Sequence, residues 1–424
     1  MKKLIKLSVL LVIPFLTNCK KDETTTTTTS TSSSSSSTTT STSSTSYYYQ
    51  SGGTVTQTDK SYSASTSDRP GVWVANDGVY TLSHSTISTT GSTTSTDSSS
   101  FFGLNAAVLA NGGSTITLSN SSITSTGTGA NGAFATGSGS SLVLSADTIT
   151  AANSGAHGID ATLTATIKAT NVIIKTSGAS SSGIATDRGG GTITFTGGSV
   201  STSGFLSAGI YSTGTITATD ATITSAIADG GVIEGSNFIT LNDVTMSGEP
   251  DGIKIYHSES GDASGFTGTL VVNGGSMTAT AGPAIYVENE TAVITAENSA
   301  AFSASDDDII YAADSSAVTF TASGETLTGN LVASPETTFA ASLTSSTTLK
   351  GIVTNVALTL DATSKWTVTG NSVLTTFSDA SGISGTAISN ITGNGYTIYY
   401  SSSLNSSLGA KTYTLAGGGY LKPE

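Results

Sequence analysis

The chain has 424 residues, only 10% of them charged, and its formal net charge at pH 7 is −14. Nucleic acids and anionic lipids are bound by clustered lysine and arginine, so this balance argues against either as the partner. Ser, Thr and Gly dominate, Pro is scarce, and no amphipathic helical stretch follows the N-terminal signal. No phosphate-binding glycine loop in a strand-to-helix context, HExxH motif or Cys/His zinc pattern occurs, so neither a cofactor nor a metal is expected.

Residues 1–18 form a predicted lipoprotein signal peptide. Three lysines precede an apolar run from Val9 to Leu16, which is too short to span a membrane as a mature helix. The run ends in the sequence Leu-Thr-Asn-Cys, which resembles a bacterial lipobox and implies thioether lipidation of Cys19. Cys19 is the only cysteine, so no intramolecular disulfide can form. An ordinary secretory peptide with an incidental cysteine is the alternative.

A polar segment follows Cys19. It begins with Lys-Lys-Asp-Glu, which resembles the surface-export signal of Bacteroidetes lipoproteins. Residues 24–46 are Thr and Ser with no apolar side chain to bury, so we predict that residues 19–46 form a flexible, lipid-anchored tether. The resemblance implies a lipoprotein that is anchored in the bacterial outer membrane and exposed at the cell surface.

One apolar pattern then recurs at nearly regular intervals along the chain. Each copy has apolar residues at positions i, i+2 and i+7, and the alternation places the first two on one side of a β-strand. A fixed period of short strands indicates a β-solenoid, because stacked coils bury the inward side chains that one coil cannot bury. The copies are Ile116/Leu118/Ile123, Leu142/Leu144/Ile149, Ile167/Ala169/Ile174, Ile193/Phe195/Val200, Ile216/Ala218/Ile223, Ile239/Leu241/Met246 and Leu270/Val272/Met277, with an outlying Tyr80/Leu82/Ile87 and looser copies that open at Val293 and Val318.

Two further elements repeat with this period. A third short strand begins with Gly and an apolar residue, and a corner between the first two strands carries Asn, Asp or Gly, which reach positive φ at low cost. The third strands begin at Gly158-Ile159, Gly183-Ile184, Gly209-Ile210, Gly231-Val232 and Gly252-Ile253. The corner residues are Asn120, Asp147, Asn171, Gly198, Asp220, Asp243 and Gly275.

These repeats resemble the right-handed parallel β-helix (pectate-lyase-like) superfamily over about residues 70–420. The expected fold is therefore an all-β, single-stranded parallel β-helix with three short strands per coil, and its handedness comes from the resemblance alone. Residues 47–326 would form the main helix, and residues 327–424 its smaller coils and cap. The segment 364–372 resembles a coil motif of bacterial β-helical adhesin-like proteins. Terminal coils must cover the open core, and Trp366, Phe377 and Tyr396 are the expected covers.

Candidate ligand-binding residues lie on the outer side of the third strand. Successive coils place two columns there, predicted as Asp160, Ala185, Tyr211, Ile233, Lys254, Tyr286 and Ile310, and as Thr162, Asp187, Thr213, Gly235, Tyr256, Glu288 and Ala312. Hydroxyl-bearing rings mixed with carboxylates suit sugars. The predicted ligand-binding residues are Asp187, Arg188, Tyr211, Lys254, Tyr256, Tyr286 and Glu288. A stacked aromatic ladder that only stabilises the sheet is the alternative.

Enzymatic functions remain open at this point. Polysaccharide lyases of this fold use Arg or Lys with acidic Ca²⁺ ligands, and hydrolases use paired carboxylates. Arg188 beside Asp187, with Asp160 and His157 one coil away, is the candidate for such chemistry, but no catalytic residue is assigned. Three consecutive acids from Asp306 form a weaker Ca²⁺ candidate.

A third class is suggested by outward Thr-x-Thr motifs, such as Thr192-Ile193-Thr194, which resemble those of β-solenoid ice-binding proteins. Other residues, including Lys168, Val271 and Ile294, are predicted to interrupt the threonine column. Loops at 91–104 and 259–266 break the period and could carry binding. The interpretation favoured by the sequence is a monomeric adhesin-like or glycan-binding module without catalysis, attached to the membrane through its lipid.

The lipobox gives the first testable prediction. Cys19→Ser should move the protein from the membrane fraction to the soluble fraction, because no lipid can be attached to serine by a thioether. The measurement is fractionation together with a palmitate label. Unchanged membrane association, with no label in the wild type, would contradict the lipoprotein interpretation.

Overall fold

A computed structural model describes residues 45–258, 261 and 263–424, and nearly every element in it is a parallel strand of one solenoid of about 15 turns. The predicted signal peptide, Cys19 and most of the predicted tether lie outside the described residues. Thr45–Ser46, the end of that predicted tether, pairs in parallel with Ser61–Ala64 in the first coils.

Each regular coil contains three strands, and each strand stacks on its counterpart in the next coil to form what we call faces I, II and III. Face I consists of Tyr48–Ser51, Val72–Ala75, Val108–Asn111, Ala133–Thr136, Ile159–Thr162, Ile184–Thr186, Ile210–Ser212, Gly231–Glu234, Ile253–Tyr256, Ile285–Glu288, Asp308–Ala313 and Asn330–Ala333. Face II consists of Thr54–Thr58, Val79–Ser83, Thr115–Ser119, Ser141–Ser145, Thr166–Thr170, Thr192–Thr196, Thr215–Thr219, Phe238–Asn242, Thr267–Asn273, Thr291–Glu297, Ala317–Ser323 and Thr338–Thr344. Face III consists of Thr45–Ser46, Ser61–Ala64, Thr86–Thr89, Ser122–Ser125, Thr148–Ala151, Ile173–Thr176, Ser199–Thr202, Thr222–Ser225, Thr245–Gly248, Ser276–Ala279, Ala301–Ala304, Thr326–Thr328 and Thr348–Gly351.

The i, i+2, i+7 pattern marks the inward side chains of faces II and III, as predicted. Ile193 pairs with Ile167 on one side and Ile216 on the other, and all three are buried in one continuous core. The residues that alternate with these inward residues along each strand, such as Thr194, point outward. The all-β parallel β-helix with three strands per coil is confirmed.

The corner between faces II and III follows the prediction at most coils. Asn120 and Asn171 adopt φ values of 52° and 53°. The prediction is wrong at Asp147, where Ala146 takes the left-handed conformation instead, with φ of 54°. Asp147 is buried and accepts hydrogen bonds from the backbone N–H of Ser121 at 2.7 Å and of Ser145 at 3.0 Å. Its carboxylate therefore caps the corner rather than forming it.

The predicted register of face I is wrong by one residue in two coils. Tyr211 pairs with Val232, not Ile233, and Tyr286 pairs with Tyr311, not Ile310. A shift of one residue exchanges the two sides of a strand. The same shift affects the second column, in which Glu234 and Ala313 replace the predicted Gly235 and Ala312.

Face II contains a similar error. Leu270 pairs with Ile294, which is buried, whereas Val293 is 38% exposed. Val293 therefore does not open an inward triplet, and Thr295 rather than Ile294 occupies the outward threonine column.

The C-terminal coils merge two faces and then close. Trp366 and Phe377 are buried as predicted, but the expected cover Tyr396 is 40% exposed. Tyr400 and Tyr413 cover the core instead, and each donates its hydroxyl to a backbone carbonyl. The closing elements are Val353–Leu360, Lys365–Val368, Ser372–Asp379, Ile383–Ser384, Ala387–Thr392, Thr397–Tyr400, the short 3-10 helix Ser406–Leu408, Tyr413–Ala416 and Tyr420–Pro423.

One α-helix interrupts the strands of the described residues, although the sequence pattern predicts none. It runs over Thr96–Phe102 in the 91–104 insertion, begins at an N-cap serine and ends at Gly103 in the left-handed conformation. Phe101 is buried, and its carbonyl accepts a hydrogen bond of 2.8 Å from Thr162 Oγ1. The insertion therefore covers part of face I. Among the described residues, no helix is both long enough and apolar enough to cross a membrane.

The core register predicts the effect of two neighbouring substitutions. Ile193→Asp should lower the free energy of unfolding by about 4 kcal/mol, because it buries an unpaired carboxylate in an apolar stack. Thr194→Asp should change it by less than about 0.5 kcal/mol, because position 194 faces outward. Denaturant unfolding of both variants measures the difference, and equal destabilisation would contradict the register.

Candidate binding site

The outer side of face I divides the predicted site residues among three groups instead of one surface. Asp187 and Arg188 lie with His157 and Asp160 beneath the inserted helix. Tyr211 and Tyr256 surround Glu234. Lys254 lies on the same strand as Tyr256, with its ammonium 5.1 Å from the Tyr256 ring centroid, and it forms an ion pair with Glu288. Lys254 and Tyr286 line a cleft that we call the tyrosine cleft, whose full lining is Asp229, Pro250, Asp251, Lys254, Ala281, Gly282, Pro283, Tyr286, Asp306, Asp308 and Tyr311.

The group around Glu234 is internally satisfied. Glu234 is buried, and its carboxylate accepts hydrogen bonds from the hydroxyls of Tyr211, Tyr256 and Ser258. Burial, followed by the charge of Glu234, raises the pKa of Tyr211 far above its usual range. Because both tyrosine hydroxyls already bind Glu234, this group serves the structure more than a ligand.

Beside this group, the loop that follows face I is held by an aromatic contact. The His257 ring lies 4.1 Å from the Phe266 ring, and His257 Nδ1 lies 3.8 Å from Glu290 Oε2. Gly261, Ala263 and Ser264 of this loop line a second cavity of about 550 Å³ with Arg188 and neighbouring glycines. This cavity offers mainly backbone and small side chains.

The tyrosine cleft has a volume of about 590 Å³. Tyr286 and Tyr311, from adjacent coils, stack with ring centroids 6.0 Å apart and an interplanar angle of 9°. The Lys254 ammonium lies 5.4 Å from the centroid of Tyr286 and forms an ion pair of 2.6 Å with Glu288. The lysine and Tyr311 thus contact Tyr286 from the two neighbouring coils, and the coil beyond Tyr311 carries the smaller Val332.

Carboxyl groups form another part of the cleft wall. Burial raises the pKa of Asp229 to about 6. The hydrogen bond from the Asp251 backbone N–H and the charge of Lys254 lower this pKa, but their effect is smaller. Burial, together with the charge of Asp229, raises the pKa of Asp251 to about 7. Burial also raises the pKa of Asp308, whose carboxylate accepts a hydrogen bond from Asn330 at 2.9 Å. At neutral pH this wall therefore holds both protonated and ionised carboxyl groups, which can donate to and accept from hydroxyls.

Tyr311, Asp229 and Asp251 line the cleft but were not predicted as ligand contacts. Tyr311 was missed because the neighbouring isoleucines allowed the one-residue shift in register. Asp229 and Asp251 lie at the corner between faces III and I, and the recurrence of an aspartate at this corner in adjacent coils was the available signal. Asp251 is buried in the folded chain, which no local pattern reveals.

Comparison with known proteins gives no assignment. No protein-family model matches the chain, and no curated protein is similar to it in sequence.

Proposed function

We propose that this protein is a surface-exposed bacterial lipoprotein whose β-helix binds glycans at the tyrosine cleft. The observation that supports the proposal is the combination of two stacked, half-buried tyrosines, an ammonium group and several carboxyl groups in one cleft. Sugars offer hydroxyls for hydrogen bonds and apolar C–H groups for aromatic rings, and such a cleft matches both.

The biological role that fits this proposal is adhesion of a monomer to a host or neighbouring cell. A lipid on Cys19 would hold the module at the outer membrane, and the Ser/Thr segment would separate it from the surface. The proposal also includes membership of the pectate-lyase-like superfamily, which rests on the repeat pattern. Ice binding is less favoured, because the outward column of Thr194, Thr217 and Thr240 ends at Lys168 and Val271.

The cleft predicts which tyrosines matter for binding. A Tyr286→Ala/Tyr311→Ala variant should lose about tenfold in affinity per ring, equivalent to about 1.4 kcal/mol each, on a glycan array followed by titration calorimetry. Its far-ultraviolet circular dichroism should stay unchanged. Tyr399→Ala is the matched control, because Tyr399 is also half-buried with a lysine, Lys422, 5.2 Å from its ring, but lies outside the cleft.

Two outcomes would redirect the proposal. Undiminished binding by the double variant would indicate that the ligand binds the loops at 91–104 and 259–266 instead of the cleft. Loss of binding in Tyr399→Ala as well would indicate a general structural defect instead of a specific contact.

Glycoside hydrolysis is a second candidate, favoured by the Asp229 and Asp251 pair. A hydrolase needs one carboxyl that is protonated near neutral pH and one that is ionised. Burial raises the pKa of both groups, and the charge of Asp229 raises that of Asp251 further. A lyase is less favoured, because it must neutralise a substrate carboxylate and Lys254 is the one cation lining the described part of the cleft.

The hydrolase candidate predicts a narrow pH profile. Activity should fall below about pH 6, as Asp229 becomes protonated, and above about pH 7, as Asp251 loses its proton. Release of reducing ends from a polysaccharide panel measures it, and Asp251→Asn should abolish turnover without loss of fold. If no glycan identified on the array is turned over, the hydrolase candidate is contradicted, and glycan binding without catalysis is the function.

A further inference from the structure

The cluster beneath the inserted helix contains a carboxylate that the protein itself does not satisfy. Asp160 is completely buried, and neither carboxylate oxygen has a hydrogen-bond partner among the described residues. In its column Asp160 stands between Phe134 and Ala185, and neither side chain can donate. A buried, unpartnered carboxylate is costly and calls for an ion or water as its partner.

Two further polar groups lie next to Asp160. A carboxylate oxygen of Asp187 and a ring nitrogen of His157 lie with an Asp160 oxygen inside a group whose members are all within 4.8 Å of one another. Asp187 is buried, and its Oδ1 accepts the backbone N–H of Arg188 at 2.8 Å. Both carboxylates are buried, and two carboxylates this close repel each other when both are ionised.

The state of His157 restricts the kind of ion. Its Nδ1 accepts the backbone N–H of Ser182 at 3.0 Å, so Nδ1 carries no proton and the ring proton is on Nε2. Coordination through Nε2 would move that proton to Nδ1, where it would oppose the Ser182 N–H. The carboxylates are therefore the direct ligands, and His157 does not coordinate the ion.

The inserted helix packs beside this cluster. The Arg188 guanidinium lies 3.9 Å from the Phe101 ring centroid, and the Phe101 carbonyl accepts a hydrogen bond from Thr162, two residues beyond Asp160. Asp160 lies on the strand Ile159–Thr162, four coils before the Lys254 strand of the tyrosine cleft. The cluster is therefore a site separate from the proposed glycan contact.

We propose that Asp160 and Asp187 bind one divalent cation of the class that prefers oxygen ligands, Mg²⁺, Mn²⁺ or Ca²⁺. The two negative charges are neutralised by such an ion, and the two unpartnered oxygens of Asp160 become ligands. The ion joins two adjacent coils beneath the inserted helix and stabilises that part of the solenoid.

The test uses the full chain after dialysis against EDTA. Titration with Mn²⁺, followed by electron paramagnetic resonance, should show one ion per chain, with Ca²⁺ or Mg²⁺ competing for it. Saturating Mn²⁺ should raise Tm by about 3 °C or more, because ligand binding to the folded state stabilises it. No bound ion, together with the same Tm in EDTA and in all three cations, would overturn the proposal.

Two asparagine variants separate ion binding from folding. Asp160→Asn should weaken Mn²⁺ binding at least about a hundredfold, yet it should melt at a higher temperature than the wild type in EDTA, because it removes the unpaired charge. Asp147→Asn is the matched control: that aspartate is also buried, but its oxygens accept backbone N–H groups, so Mn²⁺ affinity should be unchanged.

The other possible outcomes also test the proposed cation site. Equal loss of Mn²⁺ binding in both variants would overturn the site. A nitrogen coupling in the Mn²⁺ spectrum that disappears in His157→Gln would overturn the assignment to oxygen ligands. If Asp160→Asn fails to fold, Asp187→Asn and the wild-type titration carry the same test.

Discussion

The parallel pairing of each strand with its counterpart one coil away is the interaction on which this structure depends. No single coil has an interior, and Ile193 is buried only because Ile167 and Ile216 lie above and below it. The pairing also provides hydrogen-bond partners for the backbone N–H and C=O groups of the stacked strands. A corner residue with positive φ is then required at each turn, which explains the recurrent Asn, Asp and Gly.

The same pairing generates the candidate sites. Side chains that are distant in sequence become neighbours, so Lys254, Tyr286 and Tyr311 form one column although each is an isolated residue in its own coil. Faces II and III carry mainly Ser and Thr outward, whereas face I carries rings and carboxylates. Its corner with face III adds Asp229 and Asp251, and the inserted helix packs beside Asp160. In such a fold, a functional site is determined by which outward residues share a column and by which of them an insertion covers.

The sequence predicts those parts of the fold that depend on local alternation. The triplet Ile116/Leu118/Ile123 is unambiguous because polar residues separate its members. The predicted pairing register of face I is wrong where two apolar residues or two glycines are adjacent, as at Val232-Ile233 and Ile309-Ile310. Either residue of such a pair can face inward, so the alternation does not fix the register. The helix Thr96–Phe102 was missed because it is short and polar, and its stability comes from contacts of Phe101 with distant coils. The buried state of Asp160 was equally invisible, because it results from that helix.

Disulfide trapping tests the register of face I most directly. In a Cys19→Ser background, cysteines at Val232 and Lys254, which are paired in adjacent coils, should cross-link on mild oxidation, because paired Cα atoms in neighbouring strands lie within disulfide range. Cysteines at Ile233 and Lys254 should not, because their side chains point to opposite sides of the sheet. Peptide mapping by mass spectrometry distinguishes the two. Cross-linking of the 233/254 pair in preference to 232/254 would contradict the register, and with it the composition of the tyrosine cleft.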